Sequence, residues 1–308
     1  MRFQRYRLYC REWLKKLLST EALTAFLSSF GFLWVAVQFT TFVVNDPKYP
    51  NFIRGLWPLF GLVGVAYAAY KCRPHLSVSH KLNGRDVTIE LVIGDVFALP
   101  GALIVGTNTT FDTHISRELI SEKSVQGTFT KKYYGDEEQL DREISSGLGG
   151  VPGIILPGGR RGKVLQHPIG TCVRLNPKNR TAYFVAIANI NEHGVAHVTF
   201  DDLKDCLAKL WVFIDQRGLK EHLVMPVLGT GFGRLSQTRQ EIIQETIMSF
   251  VAACAERTFA DRLTIVLTPS DVINWHISLS ELGSYLCHVC RYASFSSGDQ
   301  RASGTPVQ

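Results

Sequence analysis

The segment Met225-Pro226-Val227-Leu228-Gly229-Thr230-Gly231-Phe232-Gly233-Arg234 runs from a short apolar strand into three alternating glycines. Such glycines let several backbone N–H groups turn toward one anion, and a helix that follows adds its positive dipole. We predict that Gly229, Thr230, Gly231, Phe232 and Gly233 bind phosphate; a plain glycine-rich turn is the alternative. A dinucleotide fingerprint is excluded because Glu256 and Asp261 lie at the wrong distance, and a P-loop because no Lys-Ser/Thr pair follows.

Two other segments share the pattern of a strand followed by small or polar residues. In Ile93-Gly94-Asp95-Val96-Phe97, the Asp95 carboxylate can accept from an adenine amino group or a ribose hydroxyl. A turn or cap aspartate is the alternative there. In LIVGTNTTFD, residues 103–112, Asn108 can bind a ribose hydroxyl or merely close a turn. Ligands of open α/β sheets bind outside the carboxyl ends of the strands, so all three segments should meet at one edge.

The rest of the chain between residues 76 and 282 alternates strands and helices, which predicts an α/β domain with a largely parallel sheet covered on both faces. Asn83-Gly84 favours a type I′ hairpin turn, and Ser270-Asp271 can cap a helix. Residues 283–308 are assigned to a disordered tail. Strands are predicted at 78–81, 87–93, 103–107, 172–175, 183–188, 223–226 and 263–267, and helices at 200–216 and 240–255.

The net charge of +6 over 308 residues is unevenly distributed. Residues 1–85 carry a net +9, and the remainder carries −3. The totals therefore do not indicate a nucleic-acid partner for the α/β domain. The seven cysteines have no regular spacing, which favours a reducing compartment over a disulfide framework.

Residues 1–75 are predicted to form a basic N-terminal segment and a two-helix transmembrane hairpin. Ala22–Val44 is uncharged over 23 residues, too long for the apolar region of a signal peptide and unusual for a buried soluble helix. A second span is predicted at about 53–70. Six Lys/Arg residues precede the first span and four follow the second, whereas the connector has only Lys48. This bias predicts a multi-pass cell-membrane protein with both termini in the cytoplasm.

Taken in order, these segments resemble the macro domain, a module that binds ADP-ribose. Gly94-Asp95-Val96-Phe97 is similar to the family's Gly-Asp-Ile-Thr adenine-reading turn, which also assigns Val96 to the site, and 105–108 is similar to its Asn-Ala-Ala-Asn strand end. Residues 229–233 are similar to its second phosphate loop. The glycine run of its first phosphate loop is missing, and Ser124-Val125-Gln126-Gly127-Thr128 is the nearest candidate, with Ser124, Gln126 and Gly127 as ligand contacts. The resemblance implies a three-layer α/β/α mixed sheet, preceded here by the two transmembrane helices.

A membrane hairpin followed by a divergent macro domain resembles the membrane effectors of type II Thoeris anti-phage systems. The resemblance implies that a TIR-domain enzyme supplies an ADP-ribose-derived signal, such as an ADP-ribose–histidine conjugate. It further implies that the effector forms homo-oligomers and disrupts the lipid bilayer. Val105 replaces the family's first asparagine, which argues against hydrolysis, so we expect no enzymatic activity, no cofactor and no resident metal ion. A membrane-anchored ADP-ribosyl hydrolase and an assembly scaffold are the alternatives. Cys287 and Cys290, with His276 and His288, are a weak zinc candidate.

Overall fold

The computed structural model describes residues 2–44, 57–157, 161–191, 194–229 and 235–293. Of the predicted site, residues 230–233 lie outside this part, as do the connector between the two predicted spans and the tail from residue 294. The chain divides into two compact units, Met1–Leu76 and Ser77–Gln308.

The described residues of the first unit form three helices: α1 (Arg2–Leu17), α2 (Thr20–Val44) and α3 (Trp57–Lys71). By length and composition, one helix of the described residues, α2, could cross a membrane. Its large apolar side chains are exposed, including Phe32, Phe39 and Phe42, and only 11% of its most apolar window is buried. It therefore lacks the burial of a core helix in a soluble protein. The second predicted span corresponds to α3, whose 15 described residues are shorter than a full crossing needs.

Small residues spaced four apart pack α2 against α3 within the chain. A Cβ added to Gly64 would lie 2.9 Å from the Phe26 ring, so the glycine allows the two helices to approach closely. Ala25 and Ala68 are both buried, at 1% and 5% exposure. Small residues at this spacing can also favour association between chains. In this structure they lie in the contact between two helices of the same chain.

The second unit contains ten strands and six α-helices in its described residues. The strands are β1 (Ser77–Lys81), β2 (Thr88–Ile93), β3 (Ala102–Asn108), β4 (Ile154–Ile155), β5 (Leu165–Gln166), β6 (Cys172–Leu175), β7 (Ala182–Ile190), β8 (Ala196–His197), β9 (His222–Pro226) and β10 (Arg262–Leu267). The helices are α4 (Val125–Tyr133), α5 (Glu137–Gly147), α6 (Phe200–Arg217), α7 (Arg239–Glu256), α8 (Pro269–Asn274) and α9 (Leu279–Tyr292).

The main sheet is mixed, with the strand order β1-β2-β10-β9-β3-β7-β6, and β8 pairs with β7. The five central strands, from β2 to β7, are parallel, whereas β1, β6 and β8 run antiparallel to their neighbours. Adjacent residues of β7 face opposite helix layers. Phe184 makes an edge-to-face contact with Phe129 of α4, and Tyr183 makes one with Phe213 of α6. The three-layer α/β/α mixed sheet predicted for this unit is confirmed.

Three local predictions are wrong. Of the Asn83-Gly84 pair only Gly84 has a positive φ, and Leu82 N–H donates to Val87 O around a four-residue loop, so the turn is not type I′. The N-cap of α8 is Thr268 and not Ser270: the Thr268 hydroxyl accepts from Asp271 N–H, and the Asp271 carboxylate accepts from Thr268 N–H in return, so of the predicted pair only Asp271 takes part in the cap. Residues 283–292, assigned to the tail, lie in α9, because this helix buries Leu282, Leu286 and Cys290.

Candidate functional site

The carboxyl ends of the five parallel strands meet at one edge of the sheet. At this edge Gly94 N–H, just after β2, donates to Leu267 O at the end of β10, over 2.9 Å. Asp95 follows β2, Gly229 follows β9, and Asn108 ends β3. Because β2 and β3 are three positions apart, at about 4.8 Å per strand, Asp95 and Asn108 are separated by roughly 14 Å across the sheet. The three predicted segments therefore form a row: carboxylate, glycine turn, amide.

Asp95 forms the N-cap of a short 3₁₀ helix, Val96–Ala98. Its Oδ1 accepts a hydrogen bond from Phe97 N–H at 3.0 Å, and the residue is half-buried. The Val96 side chain is buried in the hydrophobic cluster beneath α4, so only its backbone can face a ligand. Lys132 of α4 donates to Phe97 O at 3.1 Å and lies over the Phe97 ring. The cap predicted as the alternative is thus present, and it holds the carboxylate at the sheet edge.

Gly229 has a φ of +72°, a backbone conformation that residues other than glycine rarely adopt. A Cβ at this position would lie 2.5 Å from Leu235 Cδ1 and 3.9 Å from Ile187 Cδ1 of β7. The turn after β9 therefore packs toward the end of β7 and depends on glycine. The other predicted phosphate contacts, Thr230, Gly231, Phe232 and Gly233, lie outside the described residues.

The Asn108 side chain closes a turn with the buried residue Asp112. Its Nδ2 donates to Asp112 Oδ2 at 2.9 Å, and its Oδ1 accepts from Asp112 N–H at 3.0 Å. Thr110 Oγ1 donates to the same carboxylate at 2.8 Å. The register between β3 and β7 shifts by one residue between Thr107 and Asn108, and the turn begins there, where β3 leaves the sheet. The turn-closing alternative is confirmed, and the amide is fixed in orientation.

The candidate first phosphate loop, residues 124–128, is the start of α4. Ser124 is the N-cap, and its Oγ accepts from Gly127 N–H at 2.9 Å. A Cβ on Gly127 would lie 2.3 Å from Ser121 O, so this glycine serves close backbone packing. Gln126 is buried and its Nε2 donates to Asp112 O at 2.7 Å. Ser124, Gln126 and Gly127 thus each have a structural role within the protein. The hydrogen bond from Gln126 also brings the start of α4 beside the Asn108 turn.

The β4–β5 hairpin is attached to the same turn. Lys163 N–H donates to Asp112 Oδ1 at 2.8 Å, and Gln166 Nε2 donates to Thr109 Oγ1 at 3.0 Å. Lys163 Nζ forms an ion pair with Asp141 of α5 at 2.6 Å. Burial raises the pKa of Asp141, but the hydrogen bonds from Lys163 and from Thr113 outweigh it, so the net pKa is below the ordinary value.

The cysteines of α9 show no arrangement for a metal. Cys290 is 2% exposed, its Sγ faces His80 O at 4.0 Å, and burial raises its pKa to about 11. Cys287 accepts from Arg291 Nη2 at 3.8 Å. Among the described residues no group of three or more His, Cys, Asp and Glu side chains could hold a metal ion.

Sequence reasoning missed Asp112 and Lys163. A polar pair at i and i+4 directly after a buried strand, Asn108 and Asp112, is a signal that could have indicated the first. Nothing local indicates Lys163, which reaches the turn through a contact 51 residues away in sequence. The structure therefore joins three separate segments at the amide end of the row.

A family model and a curated relative both match part of this chain. The chain matches the family model described as "Thoeris protein ThsA, Macro domain" over residues 89–268. It is 23% identical over 165 residues to Thoeris protein ThsA of Bacillus amyloliquefaciens (strain Y2), an alignment that covers 51% of this chain and 53% of that protein. The chain thus spans about half the length of the curated relative it matches.

Two solved structures are similar at low identity. The Oceanobacillus iheyensis macrodomain with ADP has a TM-score of 0.45 and 16% identity, over 71% of this chain and 97% of that chain. The Trypanosoma brucei macrodomain in complex with ADP-ribose has a TM-score of 0.40 and 13% identity, over 66% and 68%.

Proposed function

Since the chain belongs to the Thoeris ThsA macro-domain family, we propose that it is a membrane effector whose macro domain senses an ADP-ribose-derived nucleotide. The observation that carries the proposal is the row of Asp95, Gly229 and Asn108 along one sheet edge. A carboxylate suits an adenine or ribose donor, a glycine turn suits phosphates, and an amide suits a ribose hydroxyl. A span of roughly 14 Å suits an extended nucleotide with a diphosphate at its centre.

The macro domain acts as a sensor rather than a hydrolase. Val105, at the position of the family's first asparagine, is fully buried in the hydrophobic cluster beneath α4. Its side chain has no polar atom that could position an attacking water molecule. We therefore propose that ligand binding itself, without turnover, is the signal. Mixing the full-length chain with ADP-ribosylated protein and measuring released ADP-ribose tests this point, and catalytic release would favour the hydrolase.

The membrane is the site of action. The exposed apolar surface of α2 is unusual for a soluble protein and suits a lipid environment. We propose that the chain crosses the cell membrane twice, at about 22–44 and 53–70, with both termini in the cytoplasm. In this arrangement a TIR-domain partner produces the nucleotide, the chain forms homo-oligomers, and the bilayer is disrupted. An ADP-ribose–histidine conjugate is the proposed signal.

Binding is tested by calorimetry with the full-length chain in detergent, titrated with ADP-ribose and its histidine conjugate. Asp95→Ala and Asp95→Asn form a matched pair, because Asn caps helices as well as Asp does but carries no charge. A charge-assisted hydrogen bond is worth about 1.5–3 kcal/mol, so both variants should lose roughly tenfold to a hundredfold in affinity. If only Asp95→Ala binds more weakly, the carboxylate acts through the cap alone and does not contact the ligand.

Membrane insertion is tested by single-cysteine labelling in cells. Position 48, in the connector, should react with an impermeant reagent from outside, and position 79 should not. The reverse pattern would overturn the proposed orientation.

The coupling of binding to the membrane is tested with Phe32→Arg in α2, compared with Phe32→Leu. Arginine near the centre of a span costs about 2.5–3.5 kcal/mol of insertion. The arginine variant should bind nucleotide normally but lose toxicity when the TIR enzyme is co-expressed. Full toxicity of this variant would exclude the membrane as the site of action.

A further inference from the structure

One hydroxyl group at the end of β3 has no hydrogen-bond partner among the described residues. Thr107 is 4% exposed, and its Oγ1 is buried and unpaired. The neighbouring buried threonines are all paired: Thr109 accepts from Gln166, Thr110 donates to Asp112, and Thr113 donates to Asp141. Since buried polar groups in proteins are almost always hydrogen-bonded, an exception at this position calls for an explanation.

Thr107 lies where a ligand is expected. It is the residue before Asn108, at the carboxyl end of a central parallel strand, where the register with β7 shifts by one residue. Thr107 pairs with Ala186 of β7 and Asn108 with Ala188, so the additional residue, Ile187, belongs to β7 and the alternation of side chains along β3 continues as far as Thr107. Pairing with β7 fixes the backbone of Thr107 on one side, and the turn held by Asp112 fixes it on the other. A rigid, desolvated hydroxyl is well suited to recognising one oxygen of a ligand.

We propose that Thr107 is a specificity-determining residue whose hydroxyl forms a hydrogen bond with a hydroxyl of the terminal ribose of the nucleotide. The assignment rests on the proposed function, because it takes an ADP-ribose-derived ligand as given. It follows from the row at the sheet edge: β3 carries the end of the row farthest from Asp95, where the part of the ligand beyond the diphosphate lies. A threonine hydroxyl can both donate to and accept from a ribose hydroxyl.

The proposal predicts that stability and affinity respond in opposite directions. Thr107→Val is nearly isosteric and removes only the unpaired hydroxyl. The melting temperature of the ligand-free protein should stay the same or rise, because a buried polar atom without a partner is lost. The affinity for ADP-ribose should fall about tenfold, because the ribose hydroxyl loses its partner. A residue with only a structural role would lower both.

The test compares two probes on the full-length chain in detergent, ADP-ribose and ADP, of which only ADP-ribose has the terminal ribose. Thr107→Val should weaken ADP-ribose binding about tenfold and change ADP binding less than twofold. Thr107→Ser, which keeps the hydroxyl, should retain the preference of the wild type for ADP-ribose. The matched control is Thr246→Val in α7, a buried threonine whose hydroxyl donates to Ile242 O.

The remaining outcomes overturn either the assignment of Thr107 or the proposed function. Unchanged ADP-ribose affinity in Thr107→Val, or an equal loss for both nucleotides, overturns the assignment to the terminal ribose. A melting temperature that falls as much as in Thr246→Val also overturns it, because the hydroxyl must then have a partner in the free protein. The wild-type chain is also titrated with the histidine conjugate. If it binds neither ADP-ribose nor this conjugate, the proposed function itself fails, whereas binding by the wild type with no change in Thr107→Val overturns only the Thr107 assignment.

Discussion

Replacing Asp112 with asparagine should destabilise the second unit, because the structure needs two hydrogen-bond acceptors at this buried position. Oδ2 accepts from Asn108 Nδ2 and from Thr110 Oγ1, while Oδ1 accepts from Lys163 N–H at 2.8 Å. Asparagine has the same shape but only one oxygen. Either its NH₂ group faces Asn108 Nδ2, or it faces the backbone N–H of Lys163.

The neighbours cannot relieve this conflict. Asn108 cannot flip its amide, because its Oδ1 already accepts from the backbone N–H of residue 112 at 3.0 Å. One buried donor is therefore left without an acceptor, which costs about 1–3 kcal/mol, and the charge-assisted bonds are also lost. We expect a net loss of about 2–3 kcal/mol. For a unit of this size that lowers the melting temperature by about 5–10 °C.

The assay is thermal unfolding of the full-length protein in detergent. Asp136→Asn is the matched control, since Asp136 is an exposed N-cap and asparagine caps equally well. The swap Asn108→Asp with Asp112→Asn restores one acceptor for each donor, so the double variant should be at least about 1 kcal/mol more stable than Asp112→Asn. If Asp112→Asn had the same melting temperature as the wild type, or if the double variant were less stable than either single variant, the argument that position 112 needs two hydrogen-bond acceptors would be refuted.

Three further predictions concern stability. Gly127→Ala should lower the melting temperature by about 4 °C or more, because its Cβ meets the Ser121 carbonyl, whereas Gly135→Ala, which meets nothing within 4 Å, should change it by less than about 1 °C. Val105→Asn should cost about 2–3 kcal/mol in urea unfolding, since it buries an amide among apolar side chains. The pKa of Asp141 is lowered by folding, so its stabilising contribution is complete above about pH 4 and is lost as the pH falls further. Asp141→Asn should therefore lose less stability than the wild type between pH 5 and pH 3, and parallel pH profiles would contradict this.

The sequence was sufficient to predict the central strands because they are buried on both faces. Among the central strands, the apolar run predicted at 263–267 lies within β10, in the middle of the sheet. The edge strand Cys172–Leu175 is also predicted residue for residue, and three of its four residues are buried. Helices α4 and α5 were not predicted. They are polar and short, and the residues that define them, such as Phe129 and Ile144, are recognised only by their burial against the sheet. Pattern alone carries little information about such helices.

The errors at caps and turns have a common physical origin. Thr268 and Ser270 are both good capping residues two positions apart, and the choice depends on the direction in which the chain leaves β10. The hairpin loop after β1 is likewise fixed by a distant contact, since Asn83 N–H donates to Cys290 O of α9. Local sequence cannot supply a partner some 200 residues away.

For Asp95 and Asn108 the structural and functional interpretations are compatible when donors and acceptors are counted. A carboxylate has two oxygens and about four acceptor sites, and the cap of Asp95 occupies one of them through Phe97 N–H. The Asn108 amide has two N–H donors, of which the contact with Asp112 occupies one. The internal bonds thus fix each side chain in one orientation and leave hydrogen-bonding capacity for a ligand. Preorganisation of this kind lowers the entropy lost on binding, so the cap at Asp95 and the closed turn at Asn108 are compatible with the proposed ligand contacts at these two positions.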